Sequence, residues 1–127
     1  MAGICDQRVV LVTGAGRGIG REYALAFAAA GASVVVNDLG TLPDGNGLSV
    51  APAEAVATSI RGAGGDAWAD ASDIADWAEA AALVESTVAR FGRVDVVVNN
   101  AGFVRDRMFV SATEAEWDAV MRVHLKG

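Results

Sequence analysis

Eight consecutive residues, Thr13-Gly14-Ala15-Gly16-Arg17-Gly18-Ile19-Gly20, have the types and spacing best suited to chemistry. Glycines let the backbone turn tightly and come close to a ligand. A helix that starts directly after such a turn aims its free N–H groups and the positive end of its dipole at whatever sits there. A diphosphate fits that turn without a positive side chain. The spacing also excludes relatives of the motif. The pattern G-x-G-x-x-G fails from Gly14 and from Gly16, and the P-loop fails because no Lys-Ser or Lys-Thr follows. What remains is T-G-x-x-x-G-x-G.

Asp38 lies roughly the expected distance of about 20 residues past the glycines. A carboxylate there accepts both hydroxyls of an adenosine ribose and repels a 2′-phosphate, which favours NAD over NADP. Arg17 argues the other way, since a cation in the turn could meet that phosphate; the carboxylate, acting at the ribose itself, decides for NAD. Other reactive types are sparse. Cys5 has no cysteine partner and no base near it in sequence, and reads as a thiol near a frayed N-terminus. The one histidine, His124, has no companion ligands for a metal, and no metal site is expected.

The elements that must position these residues alternate. Val9 to Val12 is a short apolar run ended by Gly14 and reads as a strand buried on both faces. Ile19, Tyr23, Phe27 and Ala30 recur at helical spacing, with Gly31 closing the helix; Tyr23 is thereby expected in the core. Ser33 to Val36 is a second buried strand, ending at Asn37-Asp38. Gly40 to Ala51 is rich in Gly, Pro, Asn and Asp and longer than a usual connection, so a functional loop is expected there. Pro52 suits the first turn of a helix carrying Val56 and Ile60. Asp66 to Ala71 is a weaker strand. Ile74, Trp77, Ala81, Val84, Val88 and Phe91 form a helical stripe ended by Gly92, and Val94 to Val98 reads as another buried strand. Thr113 with Glu116 makes a capping box, and Trp117, Val120, Met121 and His124 follow on one face. The order predicts an α/β fold: a Rossmann-like, doubly wound parallel sheet, cut short after the fourth strand and the start of the next helix.

Composition agrees with a packed domain over residues 1–127. Apolar residues make up 53% and charged residues 20% of the chain, enough apolar surface for a real core. The net charge of −6 argues against a broad basic face, so no nucleic-acid partner is expected. No apolar h-region follows Met1, and the longest uncharged run, Tyr23 to Asn37, is too short to span a bilayer. With the lone thiol, this predicts a cytoplasmic protein without a membrane partner.

On these residues the chain resembles the short-chain dehydrogenase/reductase family over essentially its whole length. Thr13 to Gly20 matches the cofactor motif, and Asn99-Asn100-Ala101-Gly102 matches the second signature, after the fourth strand. Asp73-Ile74 matches the pair that contacts the adenine. Within the family, Val36-Asn37-Asp38-Leu39-Gly40, Arg105-Asp106-Arg107 and Val123-His124-Leu125-Lys126-Gly127 resemble the branch holding the (3R)-hydroxyacyl-CoA dehydrogenase domains of multifunctional β-oxidation enzymes. The resemblance implies that Gly14, Arg17, Gly18, Ile19 and Gly20 surround the diphosphate and that Asp38 holds the ribose. It places Asp73 and Ile74 at the adenine, with Asp73 accepting from the amino group, and Asn99, Asn100, Ala101 and Gly102 under the sugar and nicotinamide. Asn99 and Asn100 equally suit a purely structural role at the strand ends. The implied substrate is a small molecule, an acyl-CoA thioester in that branch, and the implied assembly is a homo-oligomer.

The family's chemistry needs a serine, and a tyrosine with a lysine four residues later that lowers its pKa. The one tyrosine here, Tyr23, and the one lysine, Lys126, cannot form that pair, and Ser111 precedes the strand that supplies the serine. No catalytic residue is therefore assigned, apart from His124 as a relay position, where the wider family has asparagine and the branch has histidine. The chain is expected to be an incomplete domain, marginally stable and inactive alone, with the fourth strand exposing an aggregation-prone edge. The competing reading is a stand-alone nucleotide-binding module without catalysis.

Overall fold

A computed structural model describes residues 2–41 and 49–127. Four strands form one sheet: β1 (Val9–Val12), β2 (Ser33–Asn37), β3 (Asp66–Asp70) and β4 (Val96–Val98). They stand in the order β3-β2-β1-β4, and every pair is parallel. Helices α1 (Gly18–Ala29), α2 (Ala51–Gly62) and α3 (Trp77–Phe91) separate the strands, and α4 (Glu114–Met121) follows, running into a π-helical turn, Arg122–Lys126. This is the expected Rossmann-like α/β arrangement. Of the expected loop between Gly40 and Ala51, residues 42–48 lie outside the described residues.

Side-chain alternation along the strands divides the core into two layers. Val10 and Val12 of β1, with Val34 and Val36 of β2, pack together with Ala24 of α1 and Val56 and Ile60 of α2. Leu11 and Val35 point the other way, toward Leu83 of α3, with Trp68, Ile74 and Phe91 around them. Burial on both faces is why β1 and the Val34–Val36 stretch of β2 are runs of aliphatic residues. Local signals set the helix ends. Pro52 sits in the first turn of α2, Asp76 caps α3 by accepting the Glu79 N–H, and Gly92 ends α3 in the left-handed region at φ 81°. The Thr113–Glu116 capping box is present with both of its bonds.

Three expectations are corrected. Tyr23 is 44% exposed and Ile19 66%, while Gly20 and Ala24 face the sheet. Helix α1 packs so closely that a Cβ at Gly20 would strike the Gly14 carbonyl and the Asn100 amide, so the small residues take the inside. On α3 the buried residues are Leu83 and Thr87, and Trp77, Val84 and Val88 of the expected stripe lie outside. Thr87 can be inside because its hydroxyl donates to the Leu83 carbonyl at 2.8 Å. The fourth strand is shorter than expected and is not buried on both faces: at the end of the sheet order, Val97 is 49% exposed.

Candidate functional site

The carboxyl ends of β1, β2, β3 and β4 all open on one side of a parallel sheet, with the strand order reversing about β1. A crevice at that switch point is where open α/β sheets bind ligands. A cleft of about 440 Å³ lies here. Gly14 and Arg17 line it from the turn after β1, Asn37, Asp38, Leu39 and Thr41 from β2 onward, and Ser72, Asp73 and Ile74 from the loop after β3. Ala101, Gly102, Phe103 and Arg105 line it after β4, and Ala119, Arg122 and Val123 come from α4 and the turn beyond.

The glycine turn needs its glycines for identifiable reasons. Gly14 and Gly18 have φ of 62° and 58°, where side chains with a Cβ are strained. A Cβ on Gly14 would also lie 2.8 Å from Ala101 Cα, whereas one on Gly18 would meet nothing within 4 Å. The first glycine thus lets two chain segments touch, and the third leaves open space where α1 begins. Arg17 precedes α1 with extended backbone, and no side chain caps the helix, so its first N–H groups keep their bonding capacity for a ligand.

Asp38 closes the turn. Its Oδ2 accepts the Gly16 N–H at 2.8 Å and its Oδ1 accepts the Gly40 N–H at 2.7 Å. Each carboxylate oxygen keeps further lone-pair capacity, so the group is oriented without being saturated. Arg17 donates to the Thr41 carbonyl at 3.1 Å beside it. Asp73 accepts the Ala75 N–H at 2.9 Å on Oδ1 and the Arg122 guanidinium at 2.8 Å on Oδ2. Arg105 stacks on the Phe103 ring, 4.4 Å from its centre. Three arginines and two carboxylates thus line a cleft in a chain whose net charge is −6, which suits a ligand with anionic and hydroxyl groups together.

Of the residues expected at the site, Gly14, Arg17, Asp38, Asp73, Ile74, Ala101 and Gly102 are brought together on the cleft wall. Gly18, Ile19, Gly20, Asn99 and Asn100 are not among its lining residues. Asn100 instead ties the turn to β4: its Nδ2 donates to the carbonyls of Thr13 at 3.0 Å and Gly14 at 3.1 Å. The Thr13 hydroxyl accepts the N–H groups of Asn100 and Ala101 in return. His124 Nε2 faces the Phe103 backbone, 2.7 Å from the carbonyl and 3.1 Å from the N–H. One nitrogen serves only one of these at a time, according to tautomer. The ring also fills the space over Gly102, where a Cβ would lie 2.5 Å from Cε1.

Sequence reasoning missed Asn37, Ser72, Phe103, Arg105 and Arg122 as cleft residues. Asn37 was signalled by its place beside Asp38 at a strand end. Arg122 carried no such signal, because its partner Asp73 is 49 positions away. Among the described residues, no group of three or more His, Cys, Asp and Glu is placed to hold a metal ion.

A model of the short chain dehydrogenase family matches residues 8–127. The peroxisomal multifunctional enzyme type 2 of Drosophila melanogaster is 52% identical over 122 residues, covering 96% of this chain and 20% of the relative. A hydroxyacyl-CoA dehydrogenase of Mycobacterium tuberculosis is 43% identical over 120 residues, 94% of this chain and 36% of the relative. A crystal structure of a short chain dehydrogenase from Mycobacterium avium is 57% identical and superposes with a TM-score of 0.87, covering 98% of this chain and 43% of that one. The chain therefore spans less than half the length of each of these relatives.

Proposed function

Because the chain belongs to the short-chain dehydrogenase family, we propose that it forms the cofactor-holding part of an oxidoreductase moving hydride between NAD(H) and a hydroxyl or carbonyl carbon. The observation that carries this reading is the carboxylate of Asp38, held on the wall of the cleft by the N–H of Gly16 in the glycine turn. A carboxylate so fixed accepts the hydroxyls of a ribose and opposes a phosphate in the same place, which selects NAD over NADP. The turn from Gly14 to Gly20 and the start of α1 hold the diphosphate, through Gly18, Ile19 and Gly20 as well as Arg17. Asp73 and Ile74 take the adenine, and Ala101 and Gly102 with Asn99 and Asn100 form the floor under the second sugar. The residues present fit such a cofactor: open space at Gly18, uncapped N–H groups at α1, and a carboxylate at each of the two positions where hydroxyl and amino donors are needed. Once bound, the nicotinamide ring supplies the hydride donor or acceptor.

The substrate class is a 3-hydroxyacyl-CoA thioester. Supporting it are the segments Val36 to Gly40, Arg105 to Arg107 and Val123 to Gly127, together with the name hydroxyacyl-CoA dehydrogenase carried by one relative. The 127 residues by themselves are inactive in this proposal. Tyr23 is on α1 and Lys126 on the last turn, so no tyrosine–lysine pair exists to move the proton. His124 keeps its position as a relay group, anchored to Phe103 through Nε2. The working assembly is a homo-oligomer, for which α4 offers an exposed Trp117.

Fluorescence titration of the purified protein with NADH and NADPH tests the reading. Tighter binding of NADH, by roughly tenfold or more, is expected. Equal binding overturns the NAD assignment, and no binding of either overturns the nucleotide reading. NADH formation from a 3-hydroxyacyl-CoA by the 127-residue chain would overturn its inactivity. The second reading is a stand-alone binding module. A mass in the source cells equal to that of 127 residues would support it, and a longer polypeptide carrying Tyr-x-x-x-Lys would end it. Cytoplasmic residence is also proposed, from the lone thiol; the Drosophila relative is named peroxisomal, and cell fractionation separates the two. No described helix is long and apolar enough to cross a membrane.

A further inference from the structure

We propose that Asn37 is the positioning residue that sets how the cleft reads the base of its nucleotide, an inference that rests on the nucleotide reading above. Asn37 ends β2, is 1% exposed, and still contributes to the cleft wall. A polar side chain so deeply buried must have its bonding satisfied. Its Nδ2 donates to Asp70 Oδ1 at 2.9 Å and to the Ser72 carbonyl at 3.0 Å. The same Oδ1 of Asp70 accepts the Ser72 N–H at 2.7 Å. In the opposite direction, the backbone carbonyl of Asn37 accepts the Ala15 N–H from the glycine turn at 2.9 Å.

One residue therefore joins the turn after β1 to the loop after β3. That loop carries Asp73 and Ile74 onto the cleft wall directly after Ser72. Its remaining bonds, Ala75 N–H to the Asp73 carboxylate, Asp76 N–H to the Asp73 carbonyl and Asp73 N–H to Glu79, lie within the loop and α3 and move with them. Among the described residues, the hydrogen bonds that fix the loop beyond Asp70 to other elements are those of Asn37 to Ser72 and Arg122 to Asp73. Only a side chain with two donors suits the space between a carboxylate and a carbonyl. Aspartate would set acceptors against both, and an aliphatic residue would take the donor from the Ser72 carbonyl and leave Asp70 Oδ1 with the Ser72 N–H alone.

The test compares NADH with its hypoxanthine analogue, which lacks the 6-amino group, in binding to the protein as expressed from its own gene. Wild type should prefer NADH by roughly tenfold, as one hydrogen bond to a charged acceptor implies. Asn37→Val, a substitution suited to a strand, should bring the two affinities to within about twofold. Asp70→Asn keeps the Oδ1 acceptor and should retain the preference. If the valine variant does not fold, Asn37→Thr, with one donor, should give an intermediate preference. A merely structural Asn37 would weaken both ligands alike and leave the ratio unchanged, and that outcome overturns the proposal. A wild type that binds both equally also overturns it, whereas a wild type that binds neither overturns the nucleotide reading itself.

Discussion

The N–H of Gly16 donates to Asp38 Oδ2 at 2.8 Å, joining the turn after β1 to the residue just beyond β2. The contact aims the carboxylate before any ligand arrives, so little of its binding energy goes into ordering the group. A Cβ on Gly16 would lie 2.7 Å from that oxygen and 2.7 Å from Pro52 Cβ. Gly16→Ala should therefore displace Asp38 and weaken NADH binding by roughly tenfold or more, as measured by titration. Unchanged affinity would mean that Asp38 does not take part.

Asp38→Ser removes the charge and keeps a hydroxyl. The ratio of NADPH to NADH affinity should rise by at least roughly tenfold, because a like charge no longer faces the 2′-phosphate. Paired titrations measure it, and a constant ratio would place the selection elsewhere.

Asn100→Ala deletes both bonds from Nδ2 to the carbonyls of Thr13 and Gly14. Leaving two part-buried carbonyls short of donors should cost about 1–3 kcal/mol of stability, read from urea unfolding. A cost near zero would show that water replaces the amide without loss.

Asp95 accepts the Val9 N–H at 2.8 Å and the Arg93 guanidinium at 2.9 Å, joining the segment before β4 to β1. The Val9 N–H, and after it Arg93, holds the carboxyl below the ordinary value of 3.8. A carboxylate depressed on folding stabilises the protein above its unfolded pKa and loses that contribution as pH falls through the folded one. The stability gap between wild type and Asp95→Asn should be constant at pH about 7 and 5 and shrink as the pH drops below about 3.8. Urea melts across that range check it; a gap that persists at the acid end would contradict the assignment.

Among the described residues β4 is the last strand of the sheet order, which leaves its outer backbone open to pairing with another chain, and Val97 on it is 49% exposed. Val97→Lys should lower light scattering by the 127-residue chain at equal concentration without weakening NADH binding. Undiminished scattering would locate the sticky surface elsewhere, with Trp77 of α3 the next to change.

The order of elements and the glycine turn were determined by the sequence alone, because their signals are local. A capping box needs only Thr113 and Glu116, three residues apart. Left-handed ends need only Gly31 and Gly92, with φ of 101° and 81°. The turn shows itself as glycines between an aliphatic run and a helix. Tertiary structure alone decided which faces of α1 and α3 are inside. Apolar spacing pointed to Tyr23 and Trp77, but Gly20 and Ala24 are inside on α1, where a Cβ at Gly20 would strike the Gly14 carbonyl, and Leu83 and Thr87 are inside on α3. It likewise decided that β4 is shorter than the run from Val94 to Val98 and half-exposed at Val97, since a run of valines looks the same with one face covered or two. The cleft belongs to the same class. Asp38 was legible from its distance to the glycines, whereas Arg122 meets Asp73 only because folding brings α4 beside the loop after β3.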